Sequence, residues 1–84
     1  MDIQQLKQDL KRLVIEECQK EEDPASLTDD EVLFGSGGRL ALDSIDALQI
    51  SMAVKQRYGK RIDAGNETRK ALRTITTLAE FIAQ

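Results

Sequence analysis

An all-α fold is what this sequence predicts: a small four-helix bundle with a long loop between helices 1 and 2 and a short third helix. Three observations lead there. Apolar residues recur at helical spacing in separate stretches of the chain. With two Phe, one Tyr and no Trp, the core must be built from Leu, Ile, Val, Ala and Met, which suits helix-on-helix packing. Turn-forming residues gather in one long segment between the first two helical stretches. At 84 residues the chain makes one domain, 1–84, near the small end of what folds unaided.

The first helix is predicted from residue 2 to about 20. Ile3, Leu6, Leu10, Leu13, Val14 and Cys18 share one face, and Lys7, Asp9, Lys11, Arg12, Glu16 and Glu17 fill the others. Cys18 sits one turn past Val14 and is expected to pack as a small apolar group. Glu16, Glu17 and Glu22 nearby would raise its pKa rather than activate it. The pattern then fades through "EEDPASLTDDEVLFGSGGRL", residues 21–40, which holds the only proline and three glycines. Within it, Thr28 and Glu31 form a capping-box pattern that predicts a helical turn over 29–33. Leu27, Val32, Leu33 and Phe34 are expected to tuck this loop onto the core. "GSGGR" at 35–39 invites comparison with a phosphate loop, but the lysine-plus-hydroxyl ending is missing. Its glycines read as turn formers.

A second helix is predicted from 44 to 58, stopped by Gly59 as a left-handed cap. "RIDAG" at 61–65 connects it to a short helix through "ETRKAL" that Asn66 can cap. Thr76 or Thr77 is expected to open the last helix, Thr77 with Glu80 making another capping box. Leu78, Phe81 and Ile82 face inward there.

The second helix is the informative element. At about 100° per residue, Ala47, Ile50, Val54 and Tyr58 fall in a narrow sector suited to the core. Ile45, Leu48 and Met52 cluster roughly opposite. That second stripe either faces another helix of the bundle or stays exposed as a docking strip. At the helix head, Asp43 is a good N-cap and Asp46 occupies the capping-box position, with Asp replacing the usual Glu. Both also suit the positive end of the helix dipole. Ser44 is then at the first helical position, not needed as the cap, and its hydroxyl is left to solvent. A helix start with a spare polar residue is common, so the position alone does not assign it a role.

Composition excludes several kinds of chemistry. Histidine is absent and Cys18 is the lone cysteine. No intramolecular disulfide or cysteine zinc cluster can form, and the commonest general base and metal ligand are missing. Ser44 therefore has no partner base to make it a nucleophile, so no catalytic residue and no metal site are assigned. If it is chemically special, another enzyme acts on it. The N-terminus mixes charged and apolar residues, unlike a signal peptide, and no apolar stretch reaches membrane-spanning length. A cytoplasmic address is expected. The formal charge of −3 is uneven: residues 1–34 carry −6 and residues 35–84 carry +3, a polarity that bears on partners.

"LDSIDALQISMAVKQRYG", residues 42–59, resembles the hallmark of acyl carrier proteins, whose modified serine sits in an Asp-Ser-Leu or Asp-Ser-Ile motif opening the second helix. The resemblance extends over most of the chain: the amphipathic first helix, "LFGSGGRLAL" in the long loop, the short third helix, and "ITTLAEFI" at the start of the last. The form is further similar to stand-alone carriers of specialised polyketide or aryl-polyene-type synthases. It implies that Ser44 accepts 4′-phosphopantetheine from coenzyme A, placed by a phosphopantetheinyl transferase that uses a divalent metal. That transferase supplies the base and metal this chain lacks. Asp43 would help orient the transferase and its metal, and the arm's thiol would carry acyl groups as thioesters. Ile45, Asp46, Leu48 and Met52 would face partner enzymes such as a ketosynthase and an acyltransferase or ligase. Ile50, Val54 and Tyr58 would line the space where acyl chains are sheltered. The carrier would be monomeric, without catalytic activity of its own, and would serve fatty-acid or polyketide-type biosynthesis.

One departure stands out. Fatty-acid carriers usually have strongly acidic second and third helices that dock on basic patches. Here those regions hold Gln49, Lys55, Gln56, Arg57, Lys60, Arg61, Arg69, Lys70 and Arg73, with Asp43, Asp46, Asp63 and Glu67 as their acids. Docking to basic patches is expected to be weakened. Two other readings compete. A peptidyl or aminoacyl carrier typically brings glycines right up to the serine motif, whereas Leu40-Ala41-Leu42 separates them here. A helical adaptor or nucleic-acid-binding module would use the basic stretch 55–73, but the net negative charge and single aromatic in that stretch argue against nucleic acid.

Overall fold

The computed structural model describes residues 2–35, 37–62 and 70–83. Three α-helices are found among them, α1 (Ile3–Glu17), α2 (Ser44–Tyr58) and α3 (Ile75–Ala83), with a 3₁₀ turn at Pro24–Ser26. No strand occurs among the described residues, and Phe34 and Leu42 meet in an isolated parallel bridge. The short helix expected after Asn66 falls mostly outside the described residues.

α1 forms where the sequence places it. Asp2 caps it by accepting from the N–H groups of Gln4 and Gln5. It ends sooner than expected, at Glu17, because Gln19 turns into the left-handed region (φ 54°). The Lys20 N–H then returns to the Ile15 carbonyl and that of Gln19 to Glu16, a Schellman closure without glycine. Leu6, Leu10, Leu13 and Val14 are buried along one side of α1, and Ile15, about 100° round from Val14, is buried as well. There α1 packs against α2, α3 and the 3₁₀ turn. Ile50, Ala53 and Val54 come from α2, and Ile75, Leu78, Ala79 and Ile82 from α3.

The loop of residues 18–43 departs most from expectation. Residues 29–33 make a turn and not a helix. Glu31 does reach back to the Thr28 N–H at 2.6 Å, but Asp29 directs its carbonyl to the N–H of Thr76, so the helical ladder does not start. Helical geometry appears instead at Pro24–Ser26, where Asp23 caps and Pro24 takes the first position. Leu27, Leu33, Leu40 and Leu42 are buried, and Phe34 packs partly against the core. Val32, expected inside, is 39% exposed.

Asp29 fixes this loop to both neighbouring helices. Its carboxylate lies 2.7 Å from Lys11 and 3.5 Å from Lys7 of α1. Its carbonyl accepts from the N–H and hydroxyl of Thr76 in α3. The hydrogen bond from Lys11 holds the Asp29 carboxyl below its ordinary range. Two glycines are required for different reasons: Gly35 adopts φ +81°, and a Cβ on Gly38 would stand 2.6 Å from the Val32 carbonyl oxygen.

The last helix starts earlier than the Thr77–Glu80 pattern suggested. Thr74 is the cap: its hydroxyl accepts from the Thr77 N–H at 3.1 Å, and the Thr77 hydroxyl accepts from the Thr74 N–H at 3.0 Å. This reciprocal pair brings Ile75, fully buried, into the first turn.

Leu10 is fully buried in α1 and Leu48 lies on the outer side of α2. Leu10→Ala should cost about 3 kcal/mol of stability, and Leu48→Ala should stay within about 0.5 kcal/mol. Urea unfolding of both variants checks the contrast.

Candidate functional site

The candidate site is the head of α2, and the chain arrives there under tight control. Leu40 and Leu42 are both buried while Ala41 between them is exposed. The chain bends between them, where Ala41 takes φ 50°. A non-glycine residue in this region carries strain of about 1 kcal/mol or more, which the two buried leucines and the bond from the Ala41 N–H to the Gly38 carbonyl hold in place. The Leu42 N–H donates to Leu33, and its carbonyl accepts from Gly35. One residue after Leu42 the chain is outside, and α2 begins.

The capping box is complete. The Asp43 carboxylate accepts from the Asp46 N–H at 3.0 Å, and the Asp46 carboxylate accepts from the Asp43 N–H at 3.0 Å. The Asp46 N–H, more than any other group, holds the Asp43 carboxyl below its ordinary range. Ser44 occupies the first helical position and is exposed. Capping is performed by the two aspartates, so the Ser44 hydroxyl has no part in closing the helix. It stands at the positive end of a 15-residue helix, where an attached phosphate is favoured electrostatically.

The structure separates the other sequence-derived residues into two groups. Ile50 and Val54 are fully buried, and Tyr58 packs partly against the same cluster. Burial pushes the Tyr58 hydroxyl above its ordinary pKa, and Asp9 adds to this. Ile45, Leu48 and Met52 are 67%, 59% and 56% exposed. Of the two readings of the second stripe, the exposed one is what the structure has. Asp46 is half-buried, so it belongs to the helix head more than to the open face.

Cys18 lies beneath this head, a link that no spacing in the sequence signals. Its thiol points to the Asp46 backbone carbonyl at 3.9 Å, joining the end of α1 to the first turn of α2. Its pKa is pushed up to about 12, first by burial and then by Asp46. Glu17 contributes least among the causes, so the glutamates singled out from sequence are not the main reason. Asp63 lies outside the described residues. Among the described residues, no three His, Cys, Asp or Glu side chains are grouped to hold a metal ion, and no helix is long and apolar enough to cross a membrane. No protein-family model matches this chain, and a search of curated proteins gives no significant match.

Two outcomes follow from these groups. Folding lowers the Asp43 pKa, so its contribution is whole above about pH 4 and is lost as the pH falls below that. Asp43→Asn should flatten this acid limb, read as helical circular dichroism from pH 6 to pH 2 in marginal urea. Folding raises the Cys18 pKa from 9.0 to about 12, so its contribution is whole below pH 9 and lost as the pH rises toward 12. At pH 8 the native thiol should react with iodoacetamide at least about tenfold more slowly than the urea-unfolded chain, followed by intact mass.

Proposed function

We propose that this chain is an acyl carrier protein, with Ser44 as the attachment point of 4′-phosphopantetheine. The observation that carries the reading is the division of labour at the head of α2. Asp43 and Asp46 satisfy the helix start between them, and the serine beside them is exposed and outside the cap. A serine kept for stability would be expected to act as the cap itself.

The residues fit the group in two respects. The first turn of α2 offers its positive dipole end to a phosphodiester on Ser44 Oγ. The surroundings of Ser44 are open enough for a separate enzyme to approach: Asp43, Ile45 and Leu48 are all exposed. In the attachment step, Ser44 Oγ forms the new bond to phosphorus. The pyrophosphate bond of coenzyme A breaks, and the remainder of coenzyme A leaves with that bond's electron pair. The serine proton passes to a base of the phosphopantetheinyl transferase, since this chain has no histidine. In this reading Asp43, exposed beside Ser44, would help orient that enzyme and its divalent metal. Once attached, the group supplies a thiol that holds acyl chains as thioesters.

In this reading the chain is a monomeric, cytoplasmic shuttle with no catalysis of its own. It moves between a ketosynthase, an acyltransferase or ligase, and other enzymes of fatty-acid or polyketide-type synthesis. Ile50, Val54 and Tyr58 border the space that shelters an acyl chain. Cys18 takes no part, because its thiol is turned to Asp46 and held protonated.

Intact mass after incubation with coenzyme A, magnesium and a broad-specificity phosphopantetheinyl transferase tests the reading. A single phosphopantetheine addition is expected, and none in Ser44→Ala. No addition to well-folded protein would overturn the carrier assignment and favour a helical adaptor.

A further inference from the structure

On its way to Ser44 the chain passes through its most glycine-rich stretch. Gly35, Gly37 and Gly38 bring no side chain to the turn that leads toward α2, and glycine backbone loses the most freedom on ordering. Among the described residues of 35–39, Arg39 alone has a side chain, and it reaches across to an earlier part of the loop. Its Nη2 donates to the Ser26 carbonyl at 2.8 Å and to Glu31 Oε2 at 3.3 Å. Its Nε donates to Glu31 Oε1 at 3.3 Å. Glu31 is fixed in turn, accepting from the Thr28 N–H at 2.6 Å and the Thr28 hydroxyl at 3.1 Å. Thr28 adjoins Asp29, which holds α1 through Lys7 and Lys11 and α3 through Thr76. A line of bonds therefore runs from two helices of the core to Arg39, five residues ahead of Ser44.

We propose that Arg39 is a positioning residue for the modification of Ser44, its clasp on Glu31 and Ser26 fixing how the chain enters α2. The proposal rests on the carrier reading, and in it Arg39 acts through the backbone and not on the reacting atoms. The link is the bend at Ala41. There φ is 50°, a conformation that a residue with a Cβ keeps only where its surroundings impose it. The Ala41 N–H is bonded to the Gly38 carbonyl, and that carbonyl belongs to the peptide unit joining Gly38 to Arg39. Leu40 and Leu42 anchor the bend by burial, and Arg39 anchors the turn before it by charge-assisted hydrogen bonds.

Arg39 is about half exposed, and an ion pair of that kind adds little to global stability. What it alters is population. Without the clasp the entry to α2 becomes a mixture of conformers. A transferase that accepts one of them then binds more weakly in proportion to the fraction lost. Once it is bound, Ser44 Oγ meets coenzyme A in the same geometry, so the effect falls on KM and spares kcat.

A simpler role for Arg39, as a cation that touches the transferase directly, leads to different results. Lysine would then replace it, and Glu31 would not matter. A clasp needs the forked guanidinium, because a single ammonium is a poor bridge between a carbonyl and both carboxylate oxygens. It also needs Glu31.

The test is loading of the full chain by a broad-specificity phosphopantetheinyl transferase with coenzyme A and magnesium, timed by intact mass over a range of carrier concentrations. Arg39→Ala, Arg39→Lys and Glu31→Ala should each raise the KM for the carrier about fivefold. Their kcat should stay within about twofold of the unaltered chain, with urea midpoints near its own. Arg39→Ala combined with Glu31→Ala should be no worse than either alone, because the same clasp is broken in all three. In the isotope-labelled protein before loading, the amide signals of Ala41, Leu42 and Asp43 should shift or broaden while those of Leu10 and Leu78 stay in place. The proposal is overturned if Arg39→Lys loads like the unaltered chain, if Glu31→Ala leaves KM unchanged, or if lost loading simply follows lost stability. An unaltered chain that loads, with all variants loading equally well, overturns this proposal alone. An unaltered chain that takes no phosphopantetheine overturns the carrier reading and this proposal together.

Discussion

Everything buried in this chain depends on one wall, the apolar side of α1. Leu10, Leu13 and Val14 are completely inaccessible, and α1 packs against α2, α3 and the 3₁₀ turn alike. A chain of this size can bury a single cluster, and with few aromatic residues that cluster must be dense in aliphatic side chains. α3 and the leucines of the loop are spent on it. What is left over is the outer side of α2, where Ile45, Leu48 and Met52 stay in water. The exposed strip is thus tied to how the core is filled.

The same packing aims Ser44. Leu42 is anchored in the core and bonded to Leu33 and Gly35, so the position at which α2 starts is set from behind. Asp29 keeps the preceding loop in place by holding lysines of α1 with its side chain and Thr76 of α3 with its backbone. The serine itself contributes nothing to this framework. Its neighbours Asp43 and Asp46 do the capping, which leaves the hydroxyl outside the helix cap.

Charge divides the surface in a way that follows the sequence order. The first 34 residues are acidic, and part of that charge is used internally: Asp29 by Lys7 and Lys11, Glu31 by Thr28 and Arg39. For Glu31 burial works to raise the pKa, and the bonds from Thr28 and Arg39 outweigh it. The cations after Met52 lie at the far end of α2 from Asp43. Along one helix the surface therefore passes from carboxylates at the serine, through an apolar row, to positive charge.

Local patterns in the sequence determined the helices α1 and α2, the cap at Asp43 and Asp46, the left-handed Gly59 and the core role of Ile50 and Val54. Each rests on residues within one or two turns of each other, where spacing and side-chain chemistry decide the outcome. Other features were not legible because several local solutions compete. Thr74, Thr76 and Thr77 can all open a helix, and the choice of Thr74 goes with burying Ile75. Thr28 and Glu31 make their bond but no helix, because Asp29 gives its carbonyl to Thr76, 47 residues away. Gln19 closes α1 without the glycine that would have announced it. The exposure of Ile45, Leu48 and Met52, and the approach of Cys18 to Asp46, were decided by the tertiary structure alone. Periodicity says which side of a helix a residue is on, but only the arrangement of the other elements says whether anything stands opposite.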